Sequence, residues 1–101
     1  MNIIVHYSGL KKRAVWKELV ESKLTKLQQL AAIATARVTL EWRHGVKPAF
    51  RVLTHLEVPG PDYHAEASDH TVPAALLKVI GSLEKQIRAR TNRRADNRKT
   101  N

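Results

Sequence analysis

The sequence predicts an α+β domain of two layers, β-α-β-β-β-α in order, with two helices packed on one face of a four-stranded sheet. Two segments carry apolar residues at spacings of three and four, and four shorter segments alternate apolar with polar residues. The chain has 101 residues, 43% of them hydrophobic, which suffices for one small core and not for two. Two helices of this kind bury their stripes most simply against the apolar face of a sheet.

The first strand is expected over residues 3–7, where Ile3, Val5 and Tyr7 alternate with Ile4 and His6 before Ser8-Gly9 ends it. A helix follows from residue 13 to about 30, its stripe formed by Trp16, Leu19, Val20, Leu24, Leu27 and Ala31. Its start offers no Ser, Thr, Asp or Asn for capping, and Lys11, Lys12 and Arg13 set positive charge against the positive end of the helix dipole. Charge placed against local stability hints at binding; a solvated basic loop is the plain alternative.

The stretches ARVTLEWR and AFRVLTHLEV, joined by a Gly-containing turn, read as a hairpin. Setting Trp42 opposite Phe50 pairs Leu40 with Val52 and Val38 with Thr54, so that one face is apolar throughout. The same register sets Glu41 opposite Arg51 and Arg37 opposite His55 on the other face. After VPGPD a strand is expected from residue 63 to about 68, with Tyr63, Ala65 and Ala67 inward. Pairing Val58 with Tyr63 would place Glu57 against His64 and His55 against Glu66, a ladder of opposite charges. The last helix begins after Thr71, a good cap, with Pro73 tolerated in the first turn. Val72, Leu76, Val79, Ile80, Leu83 and Ile87 form its stripe, while Lys78, Lys85, Arg88 and Arg90 fall outside it.

Charge narrows the function. Lys plus Arg number 18 against 9 acids, a formal net charge of +9 with a pI near 10.4, which favours a polyanionic partner. Nucleic acid is the first candidate. A membrane surface would need an exposed apolar helix face or a lipidation site, and the sequence has no cysteine to lipidate. The apolar run at residues 3–5 is too short for a signal peptide or a membrane span, so a cytoplasmic protein is expected. From Arg88 onward six basic residues, including Arg93 and Arg94, face one acid. Such a segment cannot bury enough surface to offset its ordering entropy, so residues 1–90 are expected to form the domain and residues 91–101 a basic disordered tail.

The histidines raise the question of chemistry. His55, His64, Glu57 and Glu66 could lie near one another on an open sheet face, but a zinc site needs three or four converging ligands with support behind them. Cross-strand ion pairs explain the same pattern with fewer assumptions. GxGxxG, P-loop, HExxH and CxxC patterns are absent, and the serines stand in no nucleophile elbow. The sequence therefore predicts no enzyme, no metal, no cofactor and no small-molecule substrate.

Residues 62–90, DYHAEASDHTVPAALLKVIGSLEKQIRAR, resemble the C-terminal half of the ribosome hibernation promoting factor and protein Y family, whose members include proteins described as sigma-54 modulators. The resemblance rests on His64-Ala65 at the start of the last strand, Ala74-Ala75 early in the final helix, and Leu83-Glu84-Lys85-Gln86-Ile87 further along it. VESKLTKL at residues 20–27 is similar to the family's first-helix signature, and the likeness extends over residues 1–90. It implies a fold related to double-stranded RNA-binding domains. It also implies a monomer when free that binds small-subunit rRNA in the mRNA and tRNA channel and holds ribosomes inactive under stress or in stationary phase. The family's basic positions fall here at Lys23 and Lys26 in the first helix, and at Lys85, Arg88 and Arg93 in the last. Charge alone adds Lys78, Arg90 and Arg94 to the rRNA-binding candidates. The sequence departs from the family at Thr71-Val72-Pro73, at Ser82 and at Ala89, the last two removing expected phosphate contacts, and it reads as a short form. A general RNA- or DNA-binding module without ribosome preference is the alternative.

Overall fold

The computed structural model describes residues 1–99, and side chains through Arg93. The elements follow the predicted order: β1 (Asn2–Ser8), α1 (Ala14–Gln28), β2 (Thr35–Trp42), β3 (Phe50–Glu57), β4 (Tyr63–Asp69) and α2 (Val72–Lys99). The four strands form one sheet in the order β1-β2-β3-β4. β1 runs parallel to β2, with Val5 beside Val38 and Tyr7 beside Leu40, and α1 supplies the crossover that a parallel pair requires. The other neighbours are antiparallel.

The β2–β3 register is the expected one, with Trp42 opposite Phe50, Glu41 opposite Arg51 and Arg37 opposite His55. The β3–β4 register is not. Leu56, not Val58, stands opposite Tyr63, so His55 faces His64 and Leu53 faces Glu66. The difference is two residues, which leaves every side chain on the face expected of it and changes only its cross-strand partner. Asp62 helps to fix the observed register: its carboxylate accepts the Val58 backbone N–H at 3.4 Å and bonds His55 at 2.7 Å, while Pro59 and Pro61 have no N–H to extend the ladder.

α1 starts as poorly capped as its sequence suggests, since Arg13 occupies the capping position without a side-chain bond. Burial holds the helix instead, through Val20, Leu24 and Leu27. α2 has its cap, the Thr71 hydroxyl accepting the Ala74 N–H at 3.2 Å. Val72, Ala75, Leu76, Val79, Leu83 and Ile87 bury its stripe against Val38, Leu40, Val52, Leu56 and Tyr63, and with the α1 residues they form one core.

The helix α2 continues past its last core contact. It runs through Lys99, nine residues past the boundary placed at residue 90. Extending a helix that is already nucleated fixes few dihedrals per added bond, and residues 91–99 contain neither Gly nor Pro. At 1.5 Å per residue α2 is about 42 Å long. Ile87 is the last buried residue described along it, so its final turns project beyond the core.

Candidate functional site

The fold sorts the charge by layer. Residues 11–28, leading into and forming α1, hold six basic and two acidic residues; α2 holds eight and two. Residues 29–71, which contain β2, β3 and β4, hold four basic and five acidic. The positive excess therefore belongs to α2, to α1 and to the loop that leads into α1, and none of it to the residues between the two helices.

Lys23 and Lys26 are three residues apart on α1 and share a face. They line a groove between the helices whose floor is Leu27, Leu30, Leu77 and Ile80 and whose far wall carries Glu84 and Arg88. Leu77 is 56% exposed in it. The Arg88 guanidinium donates to Glu84 at 2.9 Å, an exposed i,i+4 pair that orients the cation without burying it. Lys85 lies on the other flank of α2, beside Lys78, Gly81 and Ser82. The structure thus brings Lys23, Lys26 and Arg88 together and sets Lys78 and Lys85 apart from them.

Two candidates are engaged within the fold. Lys78 pairs with Asp69 at 3.0 Å and reaches the Ser68 carbonyl at 3.4 Å. Asp69 is held below the ordinary carboxylate range, first by the His70 backbone N–H and then by Lys78. Arg90 lies over the Tyr63 ring at 4.0 Å and donates to the Pro61 carbonyl at 2.8 Å. It ties α2 to the β3–β4 turn, so its charge is spent on the fold. Arg93 is exposed on the projecting part of α2; the side chain of Arg94 lies outside the described residues.

The open face of the sheet is built differently. Arg37 pairs with Glu57, and Arg51 with Glu41 at 3.1 Å and more loosely with Glu66 at 3.9 Å. The rings of His55 and His64 stack with centroids 4.3 Å apart. His55 bonds Asp62, and that bond, ahead of the Val58 N–H and the charges of the two histidines, holds the Asp62 carboxyl below its usual range. Among the described residues no three His, Cys, Asp or Glu side chains are placed to hold a metal ion, and no helix is long and apolar enough to cross a membrane.

Sequence reasoning placed Trp42 on the apolar face beside Phe50, and its register position is there. The residue is nevertheless 39% exposed at the end of the strand, outside the set that packs on the core. The roles of Glu84 and Asp69 as partners of the expected site residues Arg88 and Lys78, and of Asp62 as the partner of His55, were also missed. The i,i+4 spacing of Glu84 and Arg88 was a legible signal for the first, whereas the other two depend on how the β3–β4 turn and the start of α2 fold back.

Residues 3–95 match the family described as Sigma 54 modulation protein / S30EA ribosomal protein. The chain belongs to that family. The match passes residue 90 and follows α2 beyond its last core contact as far as residue 95. Among solved structures, the N-terminal domain of Thermus thermophilus protein Y is 25% identical, with a TM-score of 0.73 over 86% of this chain and 96% of that one. A ribosomal subunit interface protein from Coxiella burnetii has the same fold, with 20% identity and a TM-score of 0.77 over 91% and 99% of the two chains. No curated protein matches the chain in sequence. Membership of the S30EA family makes this a ribosome-associated type of protein.

Proposed function

We propose that the protein binds small-subunit rRNA in the mRNA and tRNA channel and holds ribosomes inactive under stress. The observation that carries this reading, given the family, is the confinement of the positive excess to the two helices and the loop leading into α1, with Lys23, Lys26 and Arg88 around one groove. Cations of this kind meet phosphates and make binding dependent on salt, while the shape of the layer, and not base identity, selects the target. Lys23, Lys26, Lys85, Arg88 and Arg93 are the residues expected to matter most. Lys78 and Arg90 contribute chiefly by fixing α2. The names of the two structural neighbours, protein Y and a ribosomal subunit interface protein, point the same way.

The deciding experiment is co-sedimentation with small subunits, large subunits and free duplex RNA at low and physiological salt. Retention mainly on small subunits, competed by initiator tRNA and mRNA, is the expected result. Equal retention on every RNA, lost as salt rises, would reduce the function to general nucleic-acid binding.

A further inference from the structure

The sheet register gathers three connections at one end of the domain. Ser8 lies beside Glu41, Trp42 beside Phe50, and Phe50 beside Asp69, so the β1–α1 loop and the β2–β3 hairpin tip are neighbours. They touch at Gly9, whose φ is +70° and where a Cβ would come within 2.6 Å of the Trp42 carbonyl oxygen. Residues 9–13 and 42–49 together hold five cations and no acid. Arg43 donates to the Pro48 carbonyl at 3.0 Å and to the Ser68 hydroxyl at 3.1 Å, which closes the hairpin and holds its tip against β4. Lys11, Lys12 and Lys47 are exposed and have no ion-pair partner among the described residues.

Among these cations lies an exposed aromatic plate. The Trp42 indole stands 5.7 Å from the His44 ring and belongs by strand parity to the side of the sheet that carries the helices. Exposed Val46 is on the same hairpin. An exposed tryptophan beside loops that carry five cations, with the nearby Glu41 already paired to Arg43 at 3.7 Å and to Arg51 at 3.1 Å, matches the chemistry of an unpaired nucleotide, which offers a flat base to stack and a phosphate to neutralise. A duplex hides its bases and would leave the indole unused.

We propose that this end of the domain binds single-stranded RNA, with an unpaired base stacked on Trp42 and flanking phosphates held by Lys11, Lys12 and Lys47. The proposal rests on the ribosome reading only in taking RNA as the polyanion.

The sequence has two tryptophans, so Trp16→Phe leaves Trp42 as the sole indole emitter and Trp42→Phe leaves Trp16 as the control. Titration of the first variant with a short oligouridylate, whose bases stack weakly on one another, is expected to quench Trp42 emission saturably and more strongly than duplex RNA does. Trp42→Leu, with folding checked by circular dichroism, should weaken oligouridylate binding about 5- to 100-fold, the range for loss of one stacked base. Lys11→Ala with Lys12→Ala should weaken it and lower its salt dependence. Unchanged Trp42 emission, equal quenching of Trp16 in the control, or equal quenching by polyglutamate would overturn the proposal. If small-subunit retention survives while Trp42 stays unquenched, the platform fails and the ribosome reading stands. Quenching without small-subunit preference would leave the platform standing and remove the ribosome reading.

Discussion

The open sheet face and the helical layer both carry cations, yet the two handle them in opposite ways. On the sheet Arg37 and Arg51 stand within reach of Glu57, Glu41 and Glu66, and the histidines stack on each other and lean on Asp62. On the helices Lys23, Lys26 and Lys85 have no carboxylate partner among the described residues, and Arg88 has one at its exposed tip. The cause is geometric. Cross-strand neighbours, about 5 Å apart when directly opposite, as Glu41 and Arg51 are, and about 7–8 Å on the diagonal, as Arg37 and Glu57 are, let opposite charges pair readily. A helix offers such neighbours only at three- and four-residue spacings, which these lysines leave unused. A count of cations therefore says little about where a polyanion binds until the paired ones are set aside.

That contrast can be broken most directly by moving charge off one face at a time. Replacing Lys23, Lys26, Lys85 and Arg88 by Gln should cause the largest change, lowering small-subunit retention at physiological salt and reducing the slope of log K against log salt by roughly 0.7 to 0.9 for each phosphate no longer neutralised. Arg37→Gln with Glu57→Gln, which leaves the net charge unchanged on the sheet face, should alter retention less than about twofold. Equal losses from the two sets would dissolve the distinction.

Two arginines two residues apart on α2, and so on different faces of it, sharpen it. Arg90→Ala removes the Tyr63 stack and the Pro61 bond and should lower stability by about 1–2 kcal/mol in chemical denaturation, with little effect on the salt slope. Arg88→Ala removes an exposed pair worth only about 0.3–0.5 kcal/mol but should lower ribosome affinity. Within the core, Thr54 is 5% exposed and its hydroxyl has no hydrogen-bond partner among the described residues, so Thr54→Val should raise the denaturation midpoint, by about 1 kcal/mol in stability.

The smallest effect belongs to acid. Asp62 and Asp69 titrate below their ordinary range in the folded protein, so near that range the unfolded chain binds more protons. Their contribution is complete above about pH 3.9, the ordinary aspartate value, and is lost as pH falls through the lower folded values. A melting series through acid pH should show a shallower loss for Asp62→Asn and Asp69→Asn than for the unaltered protein.

Much of this architecture was legible because periodicity reports which side of an element is buried. The stripes of α1 and α2, the β2–β3 register and the Thr71 cap all follow from local spacing and from Trp42 facing Phe50. The β3–β4 register was not legible, since a shift of two residues preserves every inward and outward position and only the Asp62 turn tells the alternatives apart. Hydrophobic pattern likewise marks where packing stops, near Ile87, and not where the helix ends, since it runs to Lys99.

For the site, the sequence by itself determined the net charge, its concentration toward the last helix and the identity of the basic residues. Only the tertiary structure decided which of those charges are available. It placed Arg90 on Tyr63 and Lys78 on Asp69, gathered Lys23, Lys26 and Arg88 around one groove, and left Trp42 uncovered beside the Gly9 loop. The physical reason is that a charge acts on a partner through what surrounds it in space, and those surroundings come from residues far away in the chain.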